Sequence, residues 1–213
     1  MKLLSWPLVS VKDAAERLFW AWALSAGLVA FGAAWMQYRG LWQTLIQGDP
    51  SGISLGLLAL SVLTTAWCGR RAWVLRQQAQ APAADTHSSW RAAWRADRRQ
   101  APDLAASLLS ERSHGPHETA WWLAAATIKL GLLGTVVGFI VMATQIGRLP
   151  TFDIDQVQTL LQKMTQGMAI ALYTTLLGLM ANLWLGLQLL LLDRMADRIV
   201  ADIVAEPLAE PEA

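Results

Sequence analysis

The sequence predicts an all-α integral membrane protein with four transmembrane helices, the last two long and extending into the cytoplasm. Three observations carry this expectation. Four apolar runs fall within the length range of membrane-spanning helices, the second, 52–68, at its low end. The chain is 54% apolar and only 15% charged, with a mean hydropathy of +0.34, whereas about a quarter of a soluble domain is charged. Of the 17 Lys and Arg residues, 13 lie in segments 1–17, 70–118 and the stretch after Leu192, and 3 lie in the two intervening connections. Basic residues concentrate on the cytoplasmic side, so both termini are expected there.

Residues 1–17 carry Lys2, Lys12, Asp13, Glu16 and Arg17. These charges interrupt the apolar core a cleavable signal peptide needs, so the segment reads as a short interfacial helix. A transmembrane hairpin follows over 18–69. Its first span, 18–38, has no charge and is flanked by Trp20 and Trp22 at one end and by Trp35 and Tyr38 at the other, an aromatic girdle at both interfaces. A turn-rich connection with Gly40, Gly48, Asp49 and Pro50 leads to the second span, 52–68, which stops at Arg70-Arg71.

Residues 70–118 form the one sizeable polar region and are read as a cytoplasmic helical region. After a loose stretch from Gln77 to Ser89, Arg91, Arg95, Arg98 and Arg99 fall on one helical face with Trp90 and Trp94 beside them. That face suits anionic lipid headgroups; the plainer alternative is a solvated helix. A helix restart is expected at Pro102-Asp103, and His114-Gly115-Pro116-His117 is expected to break the chain before the third span. Those two histidines make a poor metal site, since no third ligand is near.

The core of the chain is expected at 119–200, with a third span at about 120–146, a fourth at about 167–192 and a charged helical extension. Lys129, near the cytoplasmic end of the third span, can snorkel to the interface. Small residues recur at helical spacing in both spans: Gly131, Gly134 and Gly138 in one, Gly167, Ala171 and Gly178 in the other. Such faces let helix backbones approach closely in a membrane. Thr135, Thr174, Thr175 and Asn182 lie among them, and polar groups in hydrocarbon need partners. For each threonine the plain alternative is a bond to the carbonyl one turn back in its own helix. The tail, 201–213, is acidic and proline-containing and is read as disordered from Glu206 onward.

All 16 acidic residues and all three histidines lie outside the four spans. An ion path through a membrane generally uses an ionisable group at depth, so if this chain conducts, a carboxylate must come from another polypeptide. No catalytic constellation and no metal cluster can be placed within the spans, no cofactor is implied, and no glycine run precedes Lys-Ser/Thr as in a phosphate-binding loop. A net charge of +1 gives no reason to expect nucleic acid as a partner. The single cysteine, Cys68, excludes an intrachain disulfide.

The string KLGLLGTVVGFIVMA, from Lys129, resembles the third helix of the MotA/TolQ/ExbB family, whose members show a Gly-Leu-Leu/Phe-Gly-Thr-Val-x-Gly pattern. GMAIALYTTLLGLMAN, from Gly167, is similar to that family's last helix. The resemblance covers about residues 119–200; the first two spans match by topology alone. Four spans look like the MotA branch, while the motif wording is closer to ExbB and TolQ.

The resemblance implies a homopentamer in the bacterial inner membrane around a dimer of single-span partners similar to MotB, TolR or ExbD. An aspartate of the partner would carry the ion. Thr135 and Thr175 match the family threonines, and Thr174 and Asn182 stand beside them as further partner-facing candidates. The sequence also departs from its relatives: Ile170 stands where ExbB relatives have a glutamate, and Asn182-Leu183-Trp184 replaces a common proline. The 70–118 region is short beside that of flagellar stators. The expected function is a non-enzymatic motor subunit using the proton-motive, or sodium-motive, force. The alternative is a non-conducting oligomeric scaffold packed through its Gly/Thr seams.

Overall fold

The computed structural model describes residues 10–40, 42–43, 49, 51–82, 89–146 and 154–206, and among these described residues helix is the only regular structure. The expectations for 1–9, for 44–48 and 50 with Gly48 and Pro50, for 83–88 with His87, for 147–153 with Arg148 and for 207–213 lie outside the described residues. The helices whose bounds are described follow in order: α1 Val11–Tyr38, α2 Ile53–Gln80, α3 Trp90–Gln100, α4 Pro102–Ile146 and α5 Ile154–Ala205. Four of them, α1, α2, α4 and α5, are long and apolar enough to cross a membrane. At about 1.5 Å per residue, the 45 residues of α4 and the 52 of α5 reach about 68 and 78 Å. Both lengths exceed a bilayer of about 45 Å with its headgroups.

The helix starts are written locally. Ser10 caps α1, its Oγ accepting from Asp13 N at 3.2 Å, and Ser89 caps α3 by accepting from Ala92 N at 3.2 Å. Ahead of α2, Asp49 accepts from Ser51 N at 3.0 Å and from Ser54 N at 2.7 Å. The intervening turn passes through Gly52 at φ +73°, a conformation that suits a residue without Cβ. Pro102 occupies the first position of α4, where a missing N–H costs no helical bond.

The chain divides into two compact units, and α1, α2, α4 and α5 each contribute residues to both. The apolar unit comprises Ala26–Thr65 and Trp121–Leu187. In it α4 and α5 run antiparallel, glycine face to glycine face, as detailed below. On α5, Leu177, Met180, Ala181 and Trp184 look toward Val29 of α1 and toward Leu57, Leu58 and Ser61 of α2 across a cavity of about 240 Å³. Trp184 Nε1 donates to Thr65 Oγ1 at 3.3 Å. Large apolar side chains such as Leu132, Phe139, Leu172, Leu176 and Leu183 remain more than half exposed, as suits helices whose solvent is lipid.

The polar unit comprises Met1–Ser25, Ala66–Ala120 and Gln188–Ala213. Its core holds Leu75, Ala105, Leu109, Leu189, Ile199 and Ile203, each at most 1% exposed. Ion pairs tie its helices together. Arg76 meets Glu16 at 3.1 Å, Arg112 meets Asp97, and α3 docks on α5 through Arg91 with Asp202 and Glu206 and through Arg95 with Glu206 at 3.3 Å. The basic face of α3 is therefore divided. Arg91 and Arg95 turn to Asp202 near the end of α5 and to Glu206 just beyond it, Arg98 lies 5.7 Å over the Trp94 ring, and Arg98 and Arg99 stay exposed.

The expected break at His114-Gly115-Pro116-His117 is corrected: α4 runs through it as unbroken helix. A proline inside a helix removes the bond to the carbonyl four residues back, here Arg112. Arg71 Nη2 supplies donors at that point, reaching Arg112 O at 3.4 Å and Ser113 O at 2.6 Å. The orphaned acceptor is satisfied from a neighbouring helix, so the backbone has no reason to leave the helical path.

Candidate functional site

The small residues of α4 and α5 meet level by level. A Cβ on Gly138 would sit 2.6 Å from Gly167 O and 2.9 Å from Ala171 N. One on Gly134 would overlap the Thr174 side chain. One on Gly131 would sit 3.0 Å from Thr174 O, and one on Gly178 would sit 2.8 Å from Thr127 O. At the end of this ladder Asn182 Nδ2 donates to Ala124 O at 2.8 Å. The two backbones approach as closely as glycine allows, and a side chain at any of these levels would force them apart. These glycines, expected to serve helix packing, lie between α4 and α5 of one chain.

The hydroxyls separate into two kinds. Thr174 is fully buried in the seam, and its Oγ1 donates to Ile170 O at 2.9 Å. Its side chain faces Gly134, whereas the sequence placed it among the partner-facing candidates. Thr135 and Thr175 are partly exposed. Thr135 Oγ1 donates to Leu132 O at 2.6 Å, and Thr175 Oγ1 donates to Ala171 O at 2.9 Å. Each threonine thus makes the back-bond that the sequence left as the plain alternative. A hydroxyl that has given its proton to a carbonyl keeps lone pairs, so what Thr135 and Thr175 present outward is an acceptor.

Gly134 faces Thr174, Thr135 follows Gly134, and Thr175 follows Thr174. In an antiparallel pair of right-handed helices, the residue after each seam position turns to the same flank. Thr135 and Thr175 therefore share one flank of the seam. Leu177, Met180, Ala181 and Trp184, which meet α1 and α2, turn to the other. The apolar unit has one flank covered by its own first two helices and one flank that carries two oxygen acceptors.

Sequence reasoning missed one member of the seam. Thr127 is fully buried, donates to Ala124 O at 2.7 Å and lends its carbonyl to the contact with Gly178. Its spacing of four from Gly131 and seven from Gly134 was an available signal.

A second group was not signalled by spacing at all. In the polar unit, His117 is 2% exposed. Arg71 Nε donates to its Nε2 at 2.9 Å, which makes that nitrogen an acceptor and the ring neutral with its proton on Nδ1. Nδ1 donates in turn to Asp193 Oδ1 at 2.5 Å. Trp67 stands edge-on at 6.1 Å, and His114 lies 6.0 Å away, itself 3.1 Å from Asp197. Burial pulls the His117 pKa below its ordinary 6.5; the hydrogen bond to Asp193 opposes this and the charge of Arg71 reinforces it. Among the described residues no three ligating side chains converge as a metal site.

Four candidate spans and a close-packed antiparallel pair define the class: a multi-pass helical membrane protein. The chain belongs to the MotA/TolQ/ExbB proton channel family, whose description matches residues 97–204, just over half of its length. The match takes in both sides of the seam and leaves α1 and α2 outside. Comparison with curated proteins and with solved structures gave no match.

Proposed function

We propose that this chain is the channel subunit of an inner-membrane motor, with both termini cytoplasmic. Five copies surround a dimer of a MotB/TolR/ExbD-like single-span partner and couple the proton-motive force to mechanical work. The observation that carries this reading is the uncovered flank of the α4–α5 seam, where Thr135 and Thr175 offer oxygen acceptors while the spans contain no carboxylate or imidazole. A passing proton needs a titrating group and a chain of acceptors. The chain has the acceptors, and a partner aspartate would be the titrating group. A partner helix laid on this flank meets both threonines without displacing α1 or α2. Asn182 is spent on Ala124 O and fixes the register of the seam. The scaffold alternative, in which glycine seams join separate copies, is weakened because those seams are closed within one chain.

The test reconstitutes the chain with its partner in liposomes and measures flux with pH and Na⁺ dyes. Thr135→Val and Thr175→Val keep the shape and remove the oxygen. A barrier raised by about 1.4 kcal/mol slows flux about tenfold. Full flux in both variants sinks the assignment, and flux that follows Na⁺ but not pH overturns the choice of ion.

A further inference from the structure

In the polar unit, α1 and α5 enclose an open groove of about 390 Å³, lined by Ala14, Arg17, Leu18 and Ala21 and by Leu191, Arg194, Met195 and Arg198. We propose that this groove is a binding site for an anionic phospholipid, with the phosphodiester held by Arg17, Arg194 and Arg198 and an acyl chain laid over Leu18, Ala21 and Leu191.

The composition of the groove changes along its length in the way a lipid does. Leu18 opens the first charge-free run of bilayer length, and Leu192 closes the last. The hydrocarbon boundary therefore crosses the groove, with Leu18, Ala21 and Leu191 on its apolar side and the three guanidiniums on its headgroup side. Ala14 and Ala21, one turn on either side of Leu18, leave the width for a chain. Arg194 and Arg198 are one turn apart on α5, so both reach the same mouth.

The charge is not neutralised from within. The carboxylates next to these arginines in sequence are engaged elsewhere: Glu16 with Arg76 at 3.1 Å, Asp193 with His117 at 2.5 Å and Asp197 with His114 at 3.1 Å. Arg71, Arg76, Arg91, Arg95 and Arg112 each have a bond within the chain. Among the described residues Arg17, Arg194 and Arg198 form no ion pair, and no carboxylate lines the groove. Guanidinium forks suit phosphate oxygens, and basic pockets between helices at the headgroup level hold anionic heads. The site takes its specificity from charge and its affinity from both ends of the lipid.

The test purifies the full chain in mild detergent, offers equal phosphatidylglycerol and phosphatidylcholine, and counts retained lipid by native mass spectrometry. Wild type should keep phosphatidylglycerol preferentially. Replacing Arg17, Arg194 and Arg198 together by Gln should cut that preference about tenfold. A control with Lys12→Gln, Arg70→Gln and Arg99→Gln, which removes three exposed charges outside the groove, should keep it. Ala21→Trp fills the apolar half, leaves all charges in place and should also expel the lipid, so a folding defect of the triple variant does not decide the matter. Equal loss in the control, retention in Ala21→Trp, or displacement by inorganic phosphate alone overturns the proposal. So does a triple variant that changes oligomer mass while keeping its lipid, which would make the groove a contact between copies.

Discussion

Gly138→Ala isolates the seam with the smallest possible perturbation. The added methyl would lie 2.6 Å from Gly167 O, 2.9 Å from Ala171 N and 3.0 Å from Ala171 Cβ. Comfortable contacts of this kind are about 3.5–4.0 Å, so α4 and α5 must separate by roughly 1 Å at that level. Two of the three obstacles are backbone atoms, which no rotamer change can clear. Overpacking of this kind costs about 1–3 kcal/mol. For a chain of this size, a loss of about 2 kcal/mol corresponds to a fall in Tm of about 4–8 °C. Gly56→Ala is the matched control: its Cβ meets nothing within 4 Å, and alanine is the better helix former by up to about 1 kcal/mol. Both variants are melted in the same mild detergent and followed by tryptophan fluorescence and circular dichroism. Gly138→Ala should melt well below wild type and Gly56→Ala at or above it. Equal melting of the two would refute the reading that α4 and α5 touch through their glycines.

Two further outcomes follow from the titrating groups outside the spans. The depressed pKa of His117 means that the unfolded chain takes up its proton more readily than the folded one. Stability is therefore fully present above pH 6.5, the ordinary histidine value, and falls as the pH is lowered toward the folded pKa, because a proton on Nε2 displaces Arg71 Nε. Melting from pH 8 downward should show that slope in wild type and lose most of it in His117→Gln, and an unchanged slope in the variant would assign the dependence to other groups. Burial alone would raise the Asp49 pKa, but hydrogen bonds from Ser51 and Ser54 outweigh it and hold the carboxyl below 3.8. Its contribution is present above that value and fades only as the pH drops through the folded pKa. Asp49→Ala should cost about 1 kcal/mol at neutral pH, measured as a lower Tm, with Asp49→Asn recovering part; no loss in Asp49→Ala would mean that the turn before α2 holds without its cap.

The sequence by itself determined the solvent and the elements. Charge-free runs of bilayer length can exist only as helices, since hydrocarbon offers no partner for a free N–H or C=O. The glycine and threonine strings around Thr135 and Thr175 were sufficient to carry the family resemblance that the match over 97–204 bears out. Periodicity also showed that α4 and α5 each have a small face. It could not say what that face meets, because a stripe is equally compatible with a neighbouring copy, a partner helix or the next helix of the same chain. Only the tertiary structure decided that the two stripes meet each other. That choice buries Thr174, recruits Thr127 and leaves Thr135 and Thr175 together on one flank. The polar unit shows the same division. His117 lies 46 residues from Arg71 and 76 from Asp193, and no local pattern links them. Pro116 read as a break because the donor that compensates for it, Arg71, belongs to another helix. Local chemistry sets which groups need partners; which partner each one finds depends on the packing of helices distant in sequence.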